Sequence, residues 1–249
     1  MATIRLTIEY DGTDYAGWQV QDNARTIQGE IEAVLARMYK RDVRLTGSGR
    51  TDSGVHALGQ VAHYAVDDLS VPVERLPLAL NYHLESDIRV IDAAIAPDGF
   101  HARYSAVSRS YVYMIHNSPI SSAFYRRYSW LVPAPRFDIR RLNAYADRFL
   151  GTHNFTSFCS LSDKSRSKIR KIKRASFTRR GDMLYFFIEA DAFLHNMVRI
   201  VLGTILSLYR DTLPPETVDE IMLAEDRKRA DITVPPQGLF LKRVTYGER

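Results

Sequence analysis

Apolar and polar residues alternate with period two over positions 3–10, placing Ile4, Leu6, Ile8 and Tyr10 on one face of a strand that Asp11-Gly12 turns back. From Thr26 the period changes to that of a helix. Ile27, Ile31, Val34, Leu35 and Met38 share one face, and Thr26 is placed to cap it. Positions 43–46 and 60–66 read as strands joined by a glycine-rich loop. A second helix is entered at Ser70 with Pro72 in its first turn, and 88–94 reads as a strand.

The second part of the chain repeats this order. Positions 108–116 read as a strand and 138–150 as a helix stopped by Gly151. Positions 169–178 and 183–191 form a hairpin around Gly181. Positions 193–210 are helical, a short helix begins near Pro215, and 239–246 is a final strand. Each half is therefore β-α-β-β-α-β, the split βαβ arrangement. The expected fold class is α+β: two ferredoxin-like, RRM-like halves joined into one extended, mainly antiparallel sheet, with helices on one face and a cleft between the halves. The boundary falls near 97–106, giving domains 1–105 and 106–249. Such sheets are common RNA-binding platforms, although a fold alone does not establish a function.

Composition narrows the class. The chain has 249 residues, 45% apolar and 25% charged, which is ordinary for a globular protein and excludes disorder and low complexity. Cys159 is the single cysteine, so no intrachain disulfide can form and a reducing compartment fits. The N-terminus shows no export signal, and the most apolar stretch, 196–209, is interrupted by Arg199 and too short to span a bilayer. None of the seven histidines sits at metal-ligand spacing. A modest net charge of +5 hides a local concentration: Lys164, Arg166, Lys168, Arg170, Lys171, Lys173 and Arg174 lie within eleven positions without an acid. Removing those seven leaves the rest of the chain at −2. A run of this kind neutralises phosphates, or it is simply the solvated face of a hairpin.

The most unusual segment runs from Gly47 to Ala57, Gly-Ser-Gly-Arg-Thr-Asp-Ser-Gly-Val-His-Ala. It is neither a dinucleotide fingerprint nor a phosphate loop, because Asp52 stands where a third glycine would be needed and no Gly-Lys-Ser/Thr follows. Its glycines permit close backbone approach, so that Asp52 either projects into a cleft or caps a structural turn. Tyr111 and Tyr113 share a strand face with Ile115, as core packing or as a stacking surface for bases. Arg199 lies among apolar residues of its helix and needs a partner, which a carboxylate such as Asp52 would supply.

These residues resemble the TruA family of tRNA pseudouridine synthases along nearly the whole chain. The resemblance is carried by Tyr10-Asp11-Gly12, Gly17-Trp18-Gln19, Thr26-Ile27-Gln28, Gly49-Arg50-Thr51-Asp52 through His56, Phe100-His101-Ala102-Arg103, Arg109-Ser110-Tyr111-Val112-Tyr113, Ala192-Phe193-Leu194 with Met197-Val198-Arg199, and Gly238-Leu239. It implies an isomerase that detaches uracil from its ribose, rotates it and rejoins it through carbon, at positions thirty-eight to forty of the tRNA anticodon arm. It also implies that no cofactor or metal is used, that the enzyme is a homodimer, and that it works in the cytoplasm. Carried onto this sequence, Asp52 matches the catalytic aspartate, as nucleophile or base, and Arg50 an arginine that helps displace the target base. Tyr111 matches the tyrosine against the base, Arg199 the partner of the aspartate, and Leu239 the apolar wall of the pocket. Ser48, Ser53 and Ile200 depart from the more usual residues beside that site. Lys164, Arg166, Lys168, Arg170 and Lys171 are the candidates for contact with the RNA backbone. The competing expectation is a non-catalytic RNA-binding or RNA-folding protein on the same scaffold.

Overall fold

The computed structural model describes residues 2–69 and 71–247. In chain order the elements are β1 (Ala2–Tyr10), α1 (Ile27–Tyr39), β2 (Thr46–Gly47), β3 (His56–Val66), α2 (Leu76–His83), β4 (Ile88–Ile95), β5 (Ala106–His116) and β6 (Trp130–Leu131). They continue with α3 (Ile139–Asp147), β7 (Gly151–Asn154), β8 (Ile169–Arg180), β9 (Met183–Ala190), α4 (Met197–Arg210), α5 (Thr217–Leu223) and β10 (Leu239–Tyr246). Among the described residues, ten strands make an α+β fold whose strand pairs within each unit are antiparallel, apart from β3 with β10 and β5 with β6. Among the described residues no helix is long and apolar enough to cross a membrane.

The chain divides into two compact units, Met1–Val107 with Phe240–Arg249, and Ser108–Leu239. The sequence reading closed the first domain at 105 and ran the second to 249. The difference lies in β10, whose Phe240 and Leu241 pair in parallel with His56 and Ala57 of β3. Phe240 also stacks on His56 at 4.6 Å, and Tyr246 donates its hydroxyl to Ala102 O at 2.8 Å.

In the first unit the strand order is β4-β1-β3, and β2 and β10 both pair with β3. The alternation in β1 buries Ile4, Leu6 and Ile8 completely, and the apolar stripe of α1 buries Ile27, Ile31 and Leu35. Thr26 caps α1 as its sequence position predicts, its hydroxyl accepting from Gly29 N at 3.2 Å, a contribution of about 1 kcal/mol. Lys40 in the left-handed region closes the other end. The start assigned to the second helix, Ser70, lies outside the described residues. Pro72 precedes a short 3-10 turn, and α2 itself begins at Leu76.

In the second unit the order is β5-β9-β8-β7, with β6 added to β5. Register sets Tyr111 opposite Ile188 and Tyr113 opposite Phe186, so both tyrosines lie on the buried face, where Phe177 stacks on Phe186 at 4.6 Å. Asn143 of α3 brackets the Phe177 backbone, accepting from its N–H at 2.6 Å and donating to its carbonyl at 3.2 Å. Two helix bounds differ from the periodic pattern. Asn196 takes φ +61°, so α4 starts at Met197 and Phe193 precedes it in irregular chain. Helix α3 ends at Asp147, before Gly151 at φ +101° opens β7.

Candidate active site

The loop before β3 is held at several points by specific partners. Ser48 N–H donates to Val61 O at 2.7 Å, and its hydroxyl donates to Gln60 Oε1 at 2.7 Å. Gln60, fully buried, also donates to Gly49 O at 2.9 Å. The Thr51 hydroxyl meets the Tyr10 hydroxyl at 2.8 Å, and Trp18 N–H donates to the Thr51 carbonyl at 3.1 Å. Burial pushes the Tyr10 phenol well above its usual range against the bonds to Thr51 and Gln60, so it stays protonated. Asp52, the single acid between Gly47 and His56, is half-buried, and its carbonyl accepts from Val55 N–H at 3.1 Å. Gly54 then turns the chain at φ +75°. At the far end the buried His56 accepts from Gly12 N–H through Nδ1 at 3.1 Å.

Two neighbouring glycines let other segments close on this loop. A Cβ at Gly17 would lie 2.7 Å from Thr51 O, and one at Gly47 would lie 2.6 Å from Trp18 Nε1. The carboxylate of Asp52 is thus presented from a backbone fixed on both sides. Arg50, by contrast, is exposed and is tethered through Nε to Gln19 Oε1 at 3.1 Å.

The second unit carries the remaining sequence-derived candidates. Tyr111 is 9% exposed and meets Phe193 edge-on, with ring centroids 5.1 Å apart. Arg199, half-buried on α4, donates through Nε to Val234 O at 2.7 Å and through Nη1 to Asn196 Oδ1 at 2.9 Å. Tyr113 donates to the next carbonyl, Pro235 O, at 2.7 Å. Burial pushes the Tyr113 phenol up, with the Arg199 charge opposing, and this keeps it a donor. A Cβ on Gly238 would lie 2.6 Å from the Tyr113 ring. Arg199 and Tyr113 thereby fix the turn that delivers the buried Leu239 to the start of β10.

The basic segment does not act as one surface. Lys164 and Arg166 are exposed in the loop before β8, and Lys171 is exposed on the strand. Lys168 is turned inward, its ammonium donating to Asp163 Oδ1 and to Asp163 O at 3.0 Å. The Asp163 side chain is 5% exposed, which opposes its ionisation, yet bonds from His195 N–H, Lys168 and Ser165 hold the carboxyl well below the usual range. Arg170 spends Nη1 on the carbonyls of Ser167 and Ile169. A buried carboxylate needs its cation, and this is why Lys168 is withdrawn from the set of candidate phosphate contacts.

Sequence reasoning gives no functional role to Gln60, Tyr10 or Gln19, and it leaves Tyr113 between core packing and base stacking. Gln60 carried a signal: a long amide at a fully apolar-facing position of a strand needs a dedicated set of partners. Among the described residues no group of three or more His, Cys, Asp or Glu is arranged to hold a metal ion.

A family model described as tRNA pseudouridine synthase matches residues 6–105 and 145–247, which include the loop, α4 and β10. That description defines a class of RNA-modifying isomerases. Proteins named tRNA pseudouridine synthase A are similar over the full length. One from Brachyspira hyodysenteriae is 45% identical over 246 residues, 99% of each chain. One from Halalkalibacterium halodurans is 44% identical over 244 residues, 98% of this chain and 92% of that one. One from Moorella thermoacetica is 42% identical over 249 residues, covering 99% and 100%. The chain belongs to the tRNA pseudouridine synthase family.

Proposed function

We propose that this protein isomerises uridine to pseudouridine at positions thirty-eight to forty of the tRNA anticodon stem-loop, with Asp52 as the catalytic carboxylate. The observation that carries this reading is the loop itself: one acid, set between backbone groups bonded on both sides, in a chain that belongs to this family. The N1–C1′ bond breaks, a C5–C1′ bond forms, and a proton leaves C5 as one is gained at N1. Composition is unchanged, so no oxidant, reductant or co-substrate is consumed. Asp52 acts at the ribose, as nucleophile or as base.

A detached uracil must be retained while it turns. Tyr111 supplies an aromatic face and Leu239 an apolar wall, surfaces that hold a ring without fixing its in-plane orientation. Arg199 is carried over as the arginine of the site, a cation whose guanidinium suits a carboxylate or a phosphate. Arg50 displaces the target base, a step that costs a few kcal/mol of lost stacking. Lys164, Arg166 and Lys171 offset part of that cost through phosphates. The enzyme works as a homodimer in the cytoplasm and without a bound metal or organic cofactor.

The test is incubation of the purified protein with unmodified tRNA transcript and chelator, followed by carbodiimide-dependent primer-extension mapping. Stops confined to the anticodon arm are expected, and Asp52→Asn should fold, bind tRNA and give none. Salt-sensitive tRNA binding by the wild type without any stop would replace this reading with the non-catalytic RNA-binding one.

A further inference from the structure

We infer that Gln19 and Gln28 form a polarised amide relay that sets the position of the Arg50 guanidinium, making Gln19 a positioning residue for base displacement; this rests on the role proposed above for Arg50.

The relay begins at backbone groups, whose donor and acceptor roles cannot be exchanged. Val20 N–H donates to Gln28 Oε1 at 3.2 Å, and Leu45 O accepts from Gln28 Nε2 at 2.9 Å. Gln28 is 6% exposed, and these two bonds fix which end of its amide is oxygen. Glu32 reinforces the assignment, since its Oε1 accepts from Gln28 Nε2 at 2.8 Å and from Leu45 N–H at 2.8 Å. With its oxygen committed to this side, Gln28 must receive a donor from Gln19, and Gln19 Nε2 fills that role at 2.8 Å. Gln19 Oε1 therefore faces the other way and accepts from Arg50 Nε at 3.1 Å.

A flipped amide at either glutamine would set nitrogen against nitrogen or oxygen against oxygen, so one polarity runs from the backbone to the arginine. The point of attachment matters as much as the polarity. Held at Nε, the guanidinium plane is oriented while both Nη groups make no bond among the described residues. Those two groups form the fork that suits a phosphate or a base edge. An untethered arginine on an exposed loop would have to be ordered on every encounter with RNA, and that cost would fall on the displacement step. Glu32, 14% exposed and 3.6 Å from the Arg44 guanidinium, anchors the far end of the relay to the body of the first unit.

The test is a double-mutant cycle of Gln19→Met with Arg50→Ala on tRNA carrying 2-aminopurine beside the target uridine. Stopped-flow fluorescence reads displacement, and single-turnover assays read isomerisation. Gln19→Met alone is expected to slow the displacement phase and lower kcat/KM by about tenfold, the scale of one hydrogen bond to a charged group. In the Arg50→Ala background it should add nothing, because the relay then has nothing to hold. An equal loss in both backgrounds would overturn the proposal, since a general loss of folding or packing persists without Arg50. An unchanged displacement phase in Gln19→Met would overturn it as well. If Arg50→Ala itself leaves the displacement phase intact, the role of Arg50 fails at its source, and that result is distinct from a failure of the relay.

Discussion

Gly17→Ala is the substitution that most directly separates the fold of the first unit from the geometry of its loop. Gly17 adopts φ +100°, a conformation open to glycine and costly for alanine, and its Cβ would lie 2.7 Å from Thr51 O and 3.2 Å from the carbonyl carbon of Asp52. Neither side can yield freely. Ile27 N–H donates to Gly17 O at 3.2 Å, and the adjacent Trp18 N–H donates to Thr51 O at 3.1 Å. Backbone strain of about 1–3 kcal/mol adds to an overlap cost of about 1–3 kcal/mol, against a total stability on the order of 5–15 kcal/mol. The protein should fold with a Tm lower by roughly 5–20 °C.

Catalysis should suffer out of proportion to this. Restoring an ordinary contact of 3.4 Å at Thr51 O moves the backbone beside Asp52 by about 0.7 Å. A misplacement on that scale costs on the order of 10–100-fold in the chemical step. Single-turnover rates measured well below the melting range of the variant check this. Gly99→Ala is the control: φ is +74° but nothing lies within 4 Å of the added Cβ, so it carries strain without displacement of the loop. It should lower Tm by a few degrees and keep the wild-type rate. A Gly17→Ala enzyme that loses stability yet isomerises at the wild-type rate would refute the claim that this contact positions Asp52.

Three further outcomes follow from particular contacts. Gln60→Met takes partners from the Ser48 hydroxyl and the Gly49 carbonyl and should cost about 2–4 kcal/mol in urea unfolding, with a fall in kcat that exceeds the unfolded fraction. Lys168→Met should destabilise the second unit and leave the salt dependence of tRNA binding unchanged. Arg166→Ala or Lys171→Ala should instead lower the slope of log affinity against log salt by about one, as filter binding would report. Burial first, and then the neighbouring His101, hold His63 below its ordinary value of 6.5, so the folded state prefers the neutral ring. Its contribution is complete above that value and is lost as pH falls, so wild-type Tm should drop between pH 7 and pH 5 by more than that of His63→Gln.

Much of the fold is legible because period-two and helical patterns report burial, and burial dominates where elements form. The strands of β1, β4 and β10 and the helix α1 with its Thr26 cap follow from this. The parts that escaped are those decided by backbone geometry or by partners far along the chain. Strand β7 is four residues of Gly-Thr-His-Asn with no apolar alternation, and it exists because β8 offers it an edge. The start of α4 is displaced by the left-handed conformation of Asn196, which no apolar period encodes. The grouping of β10 with the first unit is a pairing choice, and its strand pattern is the same whichever neighbour it takes.

The candidate site divides along the same line. Asp52, Arg50, Tyr111, Arg199 and Leu239 are legible as candidates, by residue type, in the ordered motifs. Their supports are not, since an amide such as Gln28 declares its role only through the direction of each bond it makes. The charge run shows how composition can mislead: the eleven positions from Lys164 hold no acid, but Asp163 stands immediately before them. Folding buries that one carboxylate and draws Lys168 inward to meet it. A cation count overstates a phosphate-binding surface by however many of its members are already neutralised inside. Here Lys164, Arg166 and Lys171 stay exposed as the candidates for phosphate contact, and Lys168, bonded to Asp163, anchors the segment that carries them.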